Sequence, residues 1–211
     1  EIELFKYPND LLQAIKRQPP DILGLSNYSW NSNLSEHFAK VVKMANKNCI
    51  VLQGGTNFPH AQDQQREFLI ERCYTDIYAL FEGERSTLNV VERYLEKQND
   101  LKNFFDEPID GCVFIDPRTR ESTDPKLIVG KYLERIKDLD EIPSPYLNGM
   151  MDKFFDGKLT PFIETNRGCP FTCSFCHTGA DYYHKLNKFS QERVKSEIEY
   201  IGKKSKDLGI T

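Results

Sequence analysis

The chain has 211 residues, of which 39% are hydrophobic and 28% are charged, and its formal net charge at pH 7 is −4. This composition argues against wholesale disorder, and the length suits one full domain with part of a second. Basic and acidic residues are interleaved, so the sequence shows no basic cluster that would bind the phosphate backbone of a nucleic acid. No apolar run approaches the roughly 18 residues of a membrane span. We therefore expect a cytoplasmic protein that binds neither nucleic acid nor membrane.

At both ends of the sequence, a predicted secondary-structure element is cut off. Glu1 is not an initiator methionine, and the first residues, EIELFKYPNDLL, resemble the tail of a strand that leads into a helix. At the other end, Gly209 closes a helical pattern and Ile210 begins a new apolar segment. We expect the sequence to be an excised piece of a longer protein.

The first part of the sequence, 1–98, alternates between short β-rich runs and helical periods. The β-rich runs are 21–26, 49–53 and 76–82. Each is apolar and bounded by glycine, proline or a polar loop, as buried parallel strands are. The alternation predicts an α/β domain of the Rossmann-like kind, a doubly wound parallel sheet with helices on its faces.

Helical periodicity fills the intervals between these runs. Apolar residues recur every three or four positions over 34–45 and, more weakly, over 68–72. Ser86 is predicted to cap the next helix. The apolar face of that helix is predicted to consist of Leu88, Val91 and Leu95.

Small and acidic residues follow the three predicted strands where each strand ends. They are Ser26, Gly54, Gly55, Glu82, Gly83 and Glu84. Because the carboxyl ends of parallel strands meet at one edge of a sheet, where doubly wound folds bind ligands, these residues form a candidate binding site. The glycine pair alone is weak evidence, since any tight strand-to-helix turn can use glycine.

The regular alternation stops after residue 98, and 99–160 is predicted to be a linker. Within it, 113–116 and the turn-forming DPRTRES predict a small hairpin, and the proline-rich EIPSPY at 141–146 predicts a crossing segment. A short helix that buries its apolar side, rather than a cofactor site, is predicted from Met150, Met151, Phe154 and Phe155.

A second domain is predicted over 161–211. PFIET at 161–165 predicts a strand, and a long helix is predicted from about Ser190 with Gly209 as its stop. The inward face of this helix is predicted to consist of Val194, Ile198 and Ile201. The loop between strand and helix is NRGCPFTCSFCHTG, so that the three segments form one β/α unit.

Three of the six cysteines lie in one eight-residue stretch inside this loop. They are Cys169, Cys173 and Cys176, and their spacing is C-x3-C-x2-C. Because we expect no secretion signal, such crowding indicates a metal site before a disulfide framework. Three thiolates can bind three irons of a 4Fe–4S cluster, whereas a closed structural cluster would use four cysteines. The fourth iron would then stay open to another ligand.

A zinc site is the main alternative, because the adjacent His177 could complete a Cys3His set. His177 directly follows Cys176, however, and neighbouring ligands seldom close an unstrained tetrahedron. The spacing therefore favours an iron–sulfur cluster, with His177 as a loop residue near the cofactor.

The loop resembles the signature of radical S-adenosylmethionine (radical SAM) enzymes, CxxxCxΦC, in which Φ is aromatic and is here Phe175. The wider segments TNRGCPFTCSFC and SQERVKSEIEYI are also similar to that family. The resemblance implies that the open iron chelates S-adenosylmethionine (SAM). It further implies that an electron from the cluster cleaves SAM to methionine and a 5′-deoxyadenosyl radical, which takes hydrogen from a substrate.

The same resemblance implies further features of the second domain. Phe175 would pack near the adenine of SAM, and 161–211 would be the first β/α unit of a partial TIM-type barrel. A flavodoxin or ferredoxin would supply the electron. Because the barrel would need several more β/α units, we expect this piece not to turn over substrate alone.

The first domain resembles the cobalamin-binding domain that often precedes a radical SAM barrel. The resemblance implies that the residues at the strand ends border the corrin or its dimethylbenzimidazole tail, and that methylcobalamin takes part in methyl transfer. Tyr28 and Trp30 are candidates to face the corrin, although packing at a domain seam explains these aromatics equally well. The Asp-x-His-x-x-Gly segment that often supplies an axial histidine is not in the sequence, so no axial ligand is assigned.

Two rival hypotheses remain open. One is a non-catalytic cobalamin-binding or sensor module in which the cysteine loop is a structural zinc site. The other is a radical SAM enzyme whose first domain is a scaffold without a corrin.

Overall fold

A computed structural model describes residues 1–98, 100–176 and 181–210 of the chain. The chain divides into two compact units. The sheet unit is Tyr7–Glu134, and the cysteine-loop unit combines Glu1–Lys6 with Arg135–Thr211. None of the helices in the described ranges is both long and apolar enough to cross a membrane.

The sheet unit alternates helices and strands as the periodicity predicts. In chain order its elements are α1 (Pro8–Arg17), β1 (Ile22–Ser26), α2 (Ser32–Ala45), β2 (Ile50–Gly54), α3 (Gln62–Glu71), β3 (Ile77–Ala79), α4 (Gly83–Glu96), α5 (Leu101–Phe104), β4 (Cys112–Ile115) and β5 (Leu127–Val129). The third strand is shorter than the predicted run 76–82. Phe81 adopts a φ of +57°, outside the range of extended backbone, just before α4 begins.

The five strands form one sheet in the order β1-β2-β3-β4-β5. The first three are parallel, whereas β4 pairs antiparallel with β3 and β5 antiparallel with β4. The prediction of an α/β, Rossmann-like layer is therefore confirmed for the parallel part of the sheet. The predicted hairpin is present as β4 and β5, which extend the sheet at one side.

Helices cover both faces of the sheet because successive strand residues point to opposite sides. Val51 packs in one buried cluster with Val42 of α2, whereas its neighbours Ile50 and Leu52 pack in another with Val90 of α4. All of these side chains are buried. Complete burial of such an apolar side chain contributes about 1.5–3 kcal/mol each to folding.

The packing of α4 differs from the prediction. Its N-cap is Glu82, and Ser86 lies one turn inside the helix, where its hydroxyl donates to the carbonyl of Gly83 at 3.1 Å. Ser86 and Val90 are the buried residues of the helix, whereas Leu88 is exposed. The predicted leucine face was wrong, because the buried side of α4 consists of Ser86 and Val90. These two residues are four positions apart, and the first is small and polar.

The cysteine-loop unit contains less regular structure. Its strands are β6 (Asn166–Arg167) and β7 (Asn187–Lys188), its long helix is α6 (Gln191–Asp207), and single 3-10 turns are formed by Leu139–Glu141, Asp152–Phe154 and Asp181–Tyr183. The short helix predicted around Met150 is thus one 3-10 turn. Phe154 is buried as predicted, whereas Met150 is exposed.

The strand predicted at 161–165 was wrong, since these residues pair with no strand in the described part of the chain. The backbone of Phe162 instead bonds to one side chain. Its N–H donates to the Tyr146 hydroxyl at 3.0 Å, and that hydroxyl donates to the Phe162 carbonyl at 2.9 Å. Strand pairing begins only at Asn166. The barrel unit is therefore not confirmed by the fold.

The ends of α6 follow the prediction, but its inner face does not. The Ser190 hydroxyl caps the helix by accepting from the N–H of Arg193, and Gly209 follows it with a φ of +64°. The buried residue of the helix is Glu197, while Ile198 is exposed. Glu197 accepts hydrogen bonds from Ser144 at 2.6 Å and from Arg193 at 2.8 Å, so a paired carboxylate takes the place predicted for apolar residues.

Candidate functional site

The carboxyl ends of β1, β2 and β3 lie side by side at one edge of the sheet. In the register of the strands Ser26 is opposite Gly54, and Gly54 is opposite Ala79. Of the predicted strand-end residues, the structure thus brings Ser26, Gly54 and the following Gly55 together. We call this region the strand-end edge.

Asn27, which no sequence motif indicates, is the most buried polar residue of this edge. It is 0% exposed, and its N–H donates to the Gly54 carbonyl at 2.6 Å. Its side-chain amide donates to the carbonyl of Asn57 at 3.3 Å and accepts from the Asn57 side chain at 3.2 Å. Asn27 therefore joins the end of β1 to the loop after β2. The available sequence signal was a polar residue directly after a buried strand.

Gly55 is required by the close approach of these two loops. Its φ is +132°, and a Cβ there would lie 2.5 Å from the backbone oxygen of Asn27. The Tyr78 hydroxyl donates to the Gly55 carbonyl at 3.0 Å, and burial raises the pKa of this phenol above its usual range. Tyr78 therefore stays a neutral donor, and the glycine turn is fixed from both sides.

An aromatic pair follows β1. The rings of Tyr28 and Trp30 stack with centroids 4.7 Å apart and planes 2° from parallel, and Trp30 is 79% exposed. Asn31 fixes their turn, because its side chain accepts from the N–H of Tyr28 at 2.7 Å and donates to the Ser26 hydroxyl at 2.9 Å. A flat indole face is thus held open to solvent beside the end of β1.

The acidic strand-end residues lie where β3 passes into α4. Glu82 is the N-cap of α4, and Gly83 is its first residue. Both Glu82 and Glu84 are partly exposed. Beyond its chain neighbours and the backbone of its own helix, none of the described residues has an atom within 4 Å of a Cβ placed on Gly83, so tertiary packing does not require a glycine there.

The three motif cysteines lie on one loop with different exposure. Cys169 is half-buried, whereas Cys173 and Cys176 are exposed, and the N–H of Cys176 donates to the carbonyl of Cys173 at 3.1 Å. All six cysteines lie in the described ranges, and none forms a disulfide. Phe175 is 91% exposed. His177, the alternative fourth ligand, lies outside the described residues.

The donor chemistry of this loop fits an iron–sulfur cluster, since three accessible thiols on one loop are the ligands that such clusters use. Among the described residues, no three histidine, cysteine or acidic side chains are gathered as metal ligands are. Binding would therefore have to draw the three sulfurs together. Their role as ligands stays a prediction, as does the role of Phe175.

Comparison with known proteins identifies the relatives of this chain. It is 34% identical over 190 residues, 87% of its length, to TokK of Streptomyces tokunonensis, a cobalamin-dependent radical SAM methyltransferase. Homologues of this chain are radical SAM enzymes. The resemblance that the cysteine motif predicted is thereby confirmed. No protein-family profile matches the chain.

Two further relatives of this chain are methyl-transferring enzymes by name. The chain is 31% identical over 86% of its length to the 2-(S-pantetheinyl)-carbapenam-3-carboxylate methyltransferase of Streptantibioticus cattleyicolor. It is 27% identical over 91% of its length to the hopanoid C-3 methylase of Methylococcus capsulatus and covers 34% of that protein. The chain spans about a quarter of the length of the first two relatives, 26% and 25%.

Proposed function

We propose that this chain is the part of a cobalamin-dependent radical SAM methyltransferase that holds the iron–sulfur loop and contacts the corrin. The observation that carries the proposal is the 34% identity to such an enzyme over 87% of the chain. The C-x3-C-x2-C spacing of the loop and the strand-end edge of the sheet support it from the residues themselves.

In this proposal Cys169, Cys173 and Cys176 bind three irons of a 4Fe–4S cluster and leave the fourth to SAM. The bound cluster supplies the electron that cleaves SAM. Phe175 is exposed beside the last cysteine, where its ring can cover the adenine. We also propose a flavodoxin or ferredoxin as the electron donor and the cytoplasm as the location, because thiols stay reduced there.

The strand-end edge supports a cobalamin site by its shape. Gly55 lets the loops after β1 and β2 pack against each other, since a Cβ there would lie 2.5 Å from the backbone oxygen of Asn27, and a planar ligand at this edge would meet a surface that is already ordered. Trp30 presents an exposed ring that is pre-positioned by stacking on Tyr28, in the turn that follows β1. Such a ring can stack on a planar group with little loss of side-chain entropy.

Metal analysis after anaerobic reconstitution tests the cluster. We expect about four irons and about four labile sulfides per chain, with little zinc. Zinc without labile sulfide would contradict the proposal and favour the structural zinc site. His177→Ala separates the two further, because it leaves iron content unchanged under our proposal and removes metal from a Cys3His site.

Titration with hydroxocobalamin tests the corrin. Trp30 is the single tryptophan of the chain, so its fluorescence reports on the strand-end edge alone. We expect binding on size exclusion together with quenching of Trp30, and weaker binding by Trp30→Ala than by Trp30→Phe. If no cobalamin binds while iron and sulfide do, the sheet unit is a scaffold and the corrin leaves the proposal.

A further inference from the structure

The cysteine loop is closed at its base by backbone hydrogen bonds. Strands β6 and β7 pair antiparallel, with Arg167 opposite Asn187. One step further into the loop, the N–H of Cys169 donates to the carbonyl of Tyr183 at 2.8 Å. Cys169 therefore lies on a fixed entering arm, and the segment 183–187 forms the closing arm that faces it.

Gly168 sets how closely the two arms approach. Its φ is +101°, and a Cβ there would lie 2.8 Å from the Tyr183 carbonyl oxygen and still closer to that of Lys185. A side chain at this position would push the closing arm away. The position of Cys169 thus depends on where the carbonyls of Tyr183 and Lys185 are held.

A segment far from the motif in sequence holds that closing arm. The guanidinium of Arg135 donates to the carbonyl of Lys185, 50 residues away, and its Nη1 lies 3.0 Å from the Cβ position of Gly168. The next residue, Ile136, accepts a hydrogen bond from the Asn187 side chain at 2.7 Å. Two adjacent residues therefore bind the closing arm at two points.

We propose that Arg135 is a positioning residue for the first iron ligand, Cys169, an inference that rests on the proposed function. It fixes the Lys185 carbonyl against which Gly168 packs, and so fixes the arm that carries Cys169. It also places a positive charge against the residue before Cys169, where three thiolates would make the bound cluster anionic. Partners that orient metal ligands typically change metal affinity about 10–100-fold.

The test compares three variants after anaerobic reconstitution: Arg135→Gln, Arg135→Lys and, as a control, Arg118→Gln on the sheet unit. We expect EDTA to remove iron from Arg135→Gln at least about 10-fold faster than from the wild type. Arg135→Lys should lose iron to EDTA only slightly faster than the wild type, and Arg118→Gln should lose it at the wild-type rate. The midpoint potential of the cluster should fall in Arg135→Gln and not in Arg135→Lys, because a positive charge stabilises the reduced, more negative cluster.

The outcomes separate this inference from the function on which it rests. If the wild type takes up iron and sulfide and Arg135→Gln loses iron at the wild-type rate, Arg135 has no positioning role. If the wild type takes up neither, the proposed function itself fails. Should Arg135→Gln not fold, Asn187→Ala removes the neighbouring bond to the closing arm. It is expected to accelerate iron loss as well, and a wild-type rate there would contradict the inference.

Discussion

The strand-end edge and the cysteine loop are shaped by different means. At the edge, Asn27 and Tyr78 are buried and their hydrogen bonds fix the glycine turn within the chain itself. In the loop, the backbone fixes Cys169, while Cys173 and Cys176 are exposed. Packing within the chain thus orders the strand-end edge, whereas hydrogen bonds order the cysteine loop only at its base. Substitutions at the edge should therefore reduce stability, and substitutions of the cysteines should remove metal.

The largest loss of stability is expected from Gly55→Ala. The new Cβ would lie 2.5 Å from the Asn27 carbonyl oxygen at a φ of +132°. We expect the free energy of unfolding in urea, followed by circular dichroism, to fall by about 3 kcal/mol. Gly24→Ala is the matched control, since its Cβ position has no atom within 4 Å from the described residues beyond its two chain neighbours, and it should change stability by no more than about 0.5 kcal/mol. Equal effects of the two would contradict a packed edge.

A smaller loss is expected from Asn27→Ala. The substitution leaves the side chain and carbonyl of Asn57 without their partner. The same unfolding experiment should show a fall of about 2 kcal/mol. Asn48→Ala, at an exposed position of the same unit, should have little effect. A loss at Asn48 as large as at Asn27 would show that the edge is not specially ordered.

A contact at the surface of the cysteine-loop unit should matter still less. Lys204 and then Tyr200 hold the pKa of the Asp152 carboxyl below its usual range through hydrogen bonds. A lowered pKa stabilises the folded state above the ordinary carboxyl pKa, and this stabilisation is lost as the pH falls through the lowered value. Asp152→Asn should therefore slightly lower the urea midpoint at pH 7, and this difference from the wild type should disappear as the pH falls through the lowered pKa of Asp152. A pH-independent effect would show that charge is not the cause.

The sequence predicted those parts of the fold that local pattern determines. The run 49–53 became β2 within one residue, because a buried parallel strand is apolar along its whole length. Two of the failures depended on distant partners. The backbone of Phe162 is satisfied by Tyr146, and Glu197 is buried by Ser144, 53 residues away. Neither pairing leaves a periodic signal in the chain.

The candidate site divides in the same way. Spacing alone gave Cys169, Cys173 and Cys176, and the homology to radical SAM enzymes agrees with it. The supporting residues were missed. Asn27 looks like any polar residue after a strand, and Arg135 lies 50 residues from the carbonyl that it binds. The spacing of a motif indicates the candidate ligands, whereas the residues that hold their backbone in place are recognisable only in the fold.

Iron and sulfide content of cysteine variants tests the central claim most directly. The variant Cys169→Ala/Cys173→Ala/Cys176→Ala removes three accessible thiols from a loop that is fixed only at its base. It should keep its stability to within about 0.5 kcal/mol while it loses all reconstituted iron and labile sulfide. Cys73→Ala, which removes an exposed thiol outside the motif, should bind both as the wild type does. Undiminished iron and sulfide in the triple variant would contradict the account.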